Sequence, residues 1–361
     1  MIRGCIRGAA VTFAMVALVL SACGSGAIDG SSSANPSVSP RPGTHVWVVS
    51  PFNSVRGSPD GGATWSVSHP FALAADDASA DVFLRAIAFS DDRHGWVAGA
   101  YGVIAATADG GATWQGQQSG TTQLLSDLCF TDAAHGWAIG QAGTILATSD
   151  GGLTWEAQQS GSEATLRGVA FVDQRRGWVA GFEEQTGASV ILSTRDGGQS
   201  WQVIHRARQV ELYDIAAPDA EHLWAVGDDL AAQKGVIIAS GDGGRRWTTQ
   251  LTTSPTNDTG RPYLAYLSFA DASSGWAVGL DNLILATRDG GSSWVEQHSG
   301  LDQVRFSGAA CTDSRSAWLV GNAGPESFLG CTMDGGASWA MVRFDTGGNG
   351  FMGIDCFAPR G

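Results

Sequence analysis

Seven aspartates stand in one frame, D-G-G-x-[TS]-W or close to it: Asp60, Asp109, Asp150, Asp196, Asp242, Asp289 and Asp334. Repeated acids raise calcium chemistry first. A calcium site, however, needs several oxygen ligands converging on one ion, and each frame supplies a single carboxylate. The expected role is structural: the carboxylate accepts backbone N–H groups of its own turn, and the two glycines supply positive φ. His94, His135 and His222 recur two residues before a tryptophan. They belong to separate repeats, so turn-stabilising hydrogen bonds are expected rather than a shared metal. Cleavage of a glycosidic bond needs two carboxyls roughly 5–10 Å apart; Asp127 and Asp214, two repeats apart, are the pair that could reach this spacing across a centre. No catalytic residue, metal or cofactor is assigned.

The elements that must hold these residues follow from the tryptophans. Trp65, Trp114, Trp155, Trp201, Trp247, Trp294 and Trp339 close the frames. Trp47, Trp96, Trp137, Trp178, Trp224, Trp276 and Trp318 sit in a strand before each one, which uses all 14. The closing tryptophans are expected to cover the seams between units. In the second unit the pattern predicts strand a over Leu84–Phe89, b over Gly95–Gly99, c over Val103–Thr107 and d over Thr113–Gln117. Four strands per unit of about 40–50 residues is the arithmetic of a propeller blade. The fold expected is an all-β, seven-bladed β-propeller of four-stranded blades. The first unit, Trp47 to Val67, lacks a strand a. The last residues, Phe351 to Phe357, align with one, so they are expected to complete blade 1 and remove an open edge.

Before the repeats, Arg3 and Arg7 precede an apolar run from Ala9 to Leu20, which has the length of a signal peptide and is too short to span a bilayer. Residues 24–43 are rich in Gly, Ser and Pro and poor in groups to bury, as a flexible tether would be. The domain reading is therefore signal over 1–22, tether over 23–43 and propeller over 44–361. A net charge of -14, with one lysine (Lys234), argues against nucleic acid as a partner.

Leu20-Ser21-Ala22-Cys23 resembles the lipobox of bacterial lipoproteins, which implies a lipid-bearing Cys23, membrane anchoring and an extracytoplasmic location. The repeats resemble the Asp-box (bacterial neuraminidase) repeat. The fuller unit, strand a, then G-W-x-x-G, then T-x-D-G-G-x-T-W, resembles the propellers of the photosystem II assembly factors. That resemblance covers residues 44–361 and implies a non-enzymatic protein that binds a protein partner, such as a membrane complex under assembly; the chain is expected to be a monomer. The alternative is a carbohydrate-binding or sialidase-type propeller. A sialidase needs an arginine triad and a Tyr/Glu pair; none of the four tyrosines stands in such a pairing, and Arg261-Pro262-Tyr263 is a poor match to that family's N-terminal motif.

Length variation locates the partner face. Insertions fall between strands b and c (182–189, 228–235, 322–327) or between d and the next a (68–81, 252–261), all on the face opposite the Asp boxes. Variable loops on a rigid scaffold are where binding usually resides. Strand a begins on that face beside the central channel, and its early positions hold Arg85, Asp127, Arg167, Tyr213, Asp214 and Tyr266. Nearby loops add Asp76, Asp77, Glu183, Glu184, Asp228, Asp229, Asp258 and Arg261. These form either a mixed-charge ring that contacts a partner or a solvated rim. Arg85 and Arg167 are the candidates for the arginine-rich contact surface that the assembly-factor resemblance implies. Of the remaining cysteines, Cys129, Cys311, Cys331 and Cys356, the sequence leaves open a Cys311–Cys356 bond, a Cys311–Cys331 bond or simple apolar packing.

Overall fold

The computed structural model describes residues 43–71, 82–253 and 264–358. These residues form seven four-stranded antiparallel sheets, each joining strands a to d in order. Strand a is Leu84–Phe89 in blade 2, Leu125–Phe130 in blade 3, Thr165–Phe171 in blade 4, Val210–Ala216 in blade 5, Leu264–Phe269 in blade 6 and Arg305–Cys311 in blade 7. Gly353–Phe357 is strand a of blade 1 and pairs with His45–Ser50, so the C-terminal segment closes the ring as expected. Strands c and d of blade 2 are shorter than expected, Ile104–Thr107 and Gln115–Gln117. Thr113 is tied to the Asp109 carboxylate and so belongs to the turn rather than to strand d.

Each Asp box works as its residues dictate. In blade 1 the Asp60 carboxylate accepts the Thr64 N–H at 2.8 Å, the Thr64 hydroxyl at 2.6 Å and the Ser58 hydroxyl at 2.8 Å. The same backbone bond recurs at all seven boxes. At Asp242 the residue four positions on is Arg246, and only its N–H serves. Both glycines of the turn have positive φ; at Gly61 and Gly62 the values are 73° and 107°.

The seams are filled by the strand-b tryptophans and covered, as expected, by the closing ones, each of which packs against an inter-blade cluster. Trp96 stacks on Phe130 of the next blade at 3.5 Å and 5°, and Trp137 on Phe171 at 3.5 Å and 7°. The closing Trp155 meets Phe130 edge-on at 6.0 Å. Five of the strand-b indole N–H groups also cross the seam. Trp47, Trp96, Trp137, Trp178 and Trp318 donate to a glycine carbonyl of the next Asp box. Trp224 and Trp276 reach that carbonyl through Gln250 and Gln297.

The phenylalanine that ends strand a imposes a second rule. A Cβ on Gly95 would lie 2.3 Å from the Phe89 ring, and one on Gly136 would lie 2.3 Å from Phe130. Phe171–Gly177 and Phe269–Gly275 repeat the constraint. Where a small residue takes that phenylalanine's position, the residue opposite grows: Cys311 pairs with Ala317 and Cys356 with Val46. In blade 5, Ala217 takes the place of the phenylalanine and buried Leu223 that of the glycine. Volume is conserved across each position pair, which is how close-packed interiors tolerate change.

Candidate functional site

Six of the seven inner strands carry a β-bulge at the same place: the pairing register skips one residue in blades 2 to 7. The skipped residues are Arg85, Ser126, Arg167, Tyr213, Ala265 and Ser307. A bulge bends the strand and re-aims one side chain, and on the innermost strand this places the bulged residue beside the propeller axis. Arg85, Arg167 and Tyr213, three of the six candidates named from sequence, are bulge residues. Asp127, Asp214 and Tyr266 are the residues that follow the bulge.

All six are buried, with 1–5% of their surface exposed, so they form no solvated rim. Asp127 and Asp214 have a shared role. Asp127 Oδ1 accepts the Leu128 N–H, and its Oδ2 accepts the Val169 N–H of the next blade at 3.0 Å. Asp214 does the same with Ile215 and, across the seam, with Leu267 at 3.0 Å. Asp355, which sequence reasoning did not single out, accepts the Cys356 N–H and the Phe89 N–H of blade 2 at 2.7 Å. These carboxylates staple neighbouring inner strands together. A buried N–H left without such an acceptor costs about 1–3 kcal/mol.

Arg167 Nη2 is ion-paired with Glu211 at 2.7 Å, and its guanidinium stands 5.0 Å from the Tyr213 ring centroid. The Tyr213 hydroxyl donates to Asp228 at 3.3 Å. Burial pushes the Arg85 guanidinium down to about 10, with Tyr266 opposing and the like charge of Arg167 adding to the shift. Residues of blades 2, 4 and 6 are therefore close enough to influence one another electrostatically.

The loop acids are drawn into local structure. Glu183 accepts hydrogen bonds from Arg206 at 2.6 Å, Thr186 at 3.0 Å and Ser162 at 3.1 Å. Asp229 caps the N–H groups of Ala231 and Ala232. Glu184 is exposed. Asp76, Asp77, Asp258 and Arg261 lie outside the described residues. The loop face also exposes apolar side chains: Phe52, Tyr101 and Leu230, in the b–c connections of blades 1, 2 and 5, are 45%, 77% and 41% exposed. Phe52 and Tyr101 have φ of 63° and 58°, uncommon for bulky residues. Sequence reasoning missed them because it weighed charges and inner-strand positions; their signal was an aromatic side chain in a turn.

His94, His135 and His222 each place Nδ1 within 3.1 Å of a carboxylate three residues earlier, Asp91, Asp132 and Asp219. They are turn braces, as expected. Among the described residues no group of three His, Cys, Asp or Glu side chains could hold a metal. Cys311, Cys331 and Cys356 are free thiols, so neither bond left open by the sequence is formed. Cys129 is buried in the cluster of Trp137 and Phe171 and is not one of the free thiols. Cys23 lies outside the described residues.

A family profile described as the photosystem II assembly factor YCF48 matches residues 35–118, 113–254, 199–296 and 255–350, most of the chain. The chain belongs to the YCF48 family. Among solved structures, "YCF48 bound to D1 peptide" is similar at a TM-score of 0.54 and 21% identity, over 72% of this chain and 81% of that one. YCF48 from Cyanidioschyzon merolae is similar at 0.56 and 18% identity, over 83% and 91%. A Lactobacillus plantarum protein is similar at 0.55 and 11% identity, over 82% and 98%. At these identities the structures show the shared fold. No curated protein matches the chain.

Proposed function

We propose that this YCF48-family propeller is a non-enzymatic binding protein whose loop face, opposite the Asp boxes, holds a polypeptide partner, as in the assembly of a membrane complex. The observation that carries this reading is family membership together with a YCF48 solved in complex with a D1 peptide. The exposed Phe52, Tyr101 and Leu230 support the choice of face, because apolar groups in exposed turns on a rigid scaffold favour protein contact.

The lipid anchor belongs to the same proposal. Acylation of Cys23 and an extracytoplasmic location rest on the lipobox resemblance and the apolar run before it. The chain path agrees with a tether, since the Gly61 N–H of the first Asp box bonds to the Thr44 carbonyl, so the propeller is entered on the Asp-box face.

The test is crosslinking capture from native membranes with the full chain and with a Tyr101→Ser/Leu230→Ser variant. Both residues are exposed, so the variant is expected to fold. A membrane protein captured by the parent and reduced at least fivefold with the variant is the expected result. An identical captured set from both overturns the loop-face reading.

A further inference from the structure

On the Asp-box face an open cavity of about 700 Å³ lies over the seam between blades 4 and 5. Arg175, Arg176, Arg195 and Arg245 line it, with the carboxylates of Asp173, Glu221 and Asp242, in a chain whose net charge is -14. Two of the acids are spent on local structure. Asp173 pairs with Arg176 at 2.6 Å and accepts two backbone N–H groups. Asp242 accepts the Arg246 N–H and the Ser240 hydroxyl. Arg175, Arg195 and Arg245 are exposed and make no ion pair among the described residues.

The seam beneath these arginines is built differently from its neighbours. Trp178 has no phenylalanine to stack on, because blade 5 carries Ala217 there. Its indole N–H reaches the Gly243 carbonyl at 3.4 Å, against 2.8–3.1 Å for the same bond of Trp47, Trp96, Trp137 and Trp318. Arg288, which precedes its Asp box as Arg195 does, stands 4.3 Å from the Trp276 ring centroid and donates to the Gly335 carbonyl of the next blade. Arg195 makes no such contact, so its guanidinium is left to the cavity. Arg246 adds a cation beside Arg245 where the other six boxes hold Thr or Ser, at the loss of the hydroxyl bond to the box aspartate.

We propose that this cavity is a phosphoryl-group site that takes a small organic phosphate monoester. Arg175, Arg195 and Arg245 stand on three different turns. A carboxylate offers two oxygens to such a set, whereas a phosphate monoester offers three and carries up to about two charges. The cavity is larger than a phosphoryl group alone and falls within the usual range for ligand pockets, about 300–1,000 Å³. It lies on the face opposite the proposed polypeptide surface and is independent of it. Glu221, the exposed acid of the rim, opposes the guest.

The test is isothermal titration calorimetry of the full chain at fixed ionic strength in an uncharged, phosphate-free detergent. The probes are glycerol phosphate, inorganic phosphate and sodium acetate. The expected result is saturable binding of glycerol phosphate, about tenfold tighter than acetate. Arg195→Gln/Arg245→Gln changes two exposed residues; it is expected to weaken binding about tenfold or more with an unchanged thermal melt. Glu221→Gln is expected to tighten it severalfold. Equal affinity for glycerol phosphate and acetate, or equal binding by the parent and the double variant, overturns the site. Inorganic phosphate bound as tightly as the ester overturns the monoester and assigns the site to free phosphate.

Discussion

The Trp47 indole of blade 1 lies flat on the Phe89 ring of blade 2, with centroids 3.7 Å apart and planes 6° from parallel. Phe89 in turn fills the space that a Cβ on Gly95 would need, 2.3 Å from its ring. One aromatic pair thus fixes a residue on the neighbouring strand. The first prediction concerns that triangle. Gly95→Ala should overpack the seam and destabilise the protein by about 1–3 kcal/mol, while Phe89→Ala should leave a cavity and cost about 3–5 kcal/mol. The double variant Phe89→Ala/Gly95→Leu imitates Ala217 and Leu223 of blade 5, and denaturant melts should show it recovering part of the loss from Phe89→Ala.

The closure of the ring rests on Gly353–Phe357. Deleting residues 351–361 exposes the edge of His45–Ser50 and frees the Phe89 N–H that Asp355 accepts. An exposed edge strand pairs readily with other chains. Size-exclusion chromatography with light scattering should show oligomers or aggregates in place of the parent species.

Acid should unfold the protein through its Asp boxes. Hydrogen bonds from Thr113 hold Asp109 down at about 2, those from Ser200 hold Asp196 there, and those from Ser338 hold Asp334 there, against an ordinary value of 3.8. A folded-state value below the unfolded one means that the native state binds the proton more weakly. This stabilisation is fully present above pH 3.8 and is lost as pH falls toward about 2. Circular dichroism should show a flat baseline at neutral pH and a cooperative loss within that window. Asp109→Asn should lower the starting stability and reduce the acid sensitivity.

The three free thiols should be inert until the blades open. Burial pushes Cys311 up to about 12 and Cys331 up to about 11, and burial also raises Cys356. The thiolate is the reactive species. Mass-spectrometric mapping after alkylation at pH 8 should find all three unmodified in the native protein and modified in guanidinium. Native labelling at Cys356 would show that blade 1 opens locally.

Much of the fold was legible because propeller blades are local. The Asp box is closed by bonds that span four residues, from Asp60 to Thr64, so the frame in the chain is the turn in space. Two tryptophans per unit counted the blades, and the unmatched strands at the two ends of the repeats implied closure. The paired exchange of Phe89 and Gly95 for Ala217 and Leu223 was also written in the chain, but its meaning required knowing that the two positions face each other.

The site was less legible. Strand periodicity placed Arg85, Arg167, Tyr213, Asp127, Asp214 and Tyr266 on the inner strands, but periodicity carries no sign of a bulge. The bulge separates neighbours by role: Arg167, the skipped residue, pairs with Glu211, whereas Asp127 and Asp214, which follow the bulge, reach across a seam to the N–H groups of Val169 and Leu267. The sequence by itself determined the number of blades, the Asp-box turns and the strand that closes the ring, since each depends on contacts within a unit or on a count of units. Only the tertiary structure decided that the inner charges are buried and which of them are stapled, because a carboxylate's partner 42 or 53 residues away is chosen by the packing of one blade on the next.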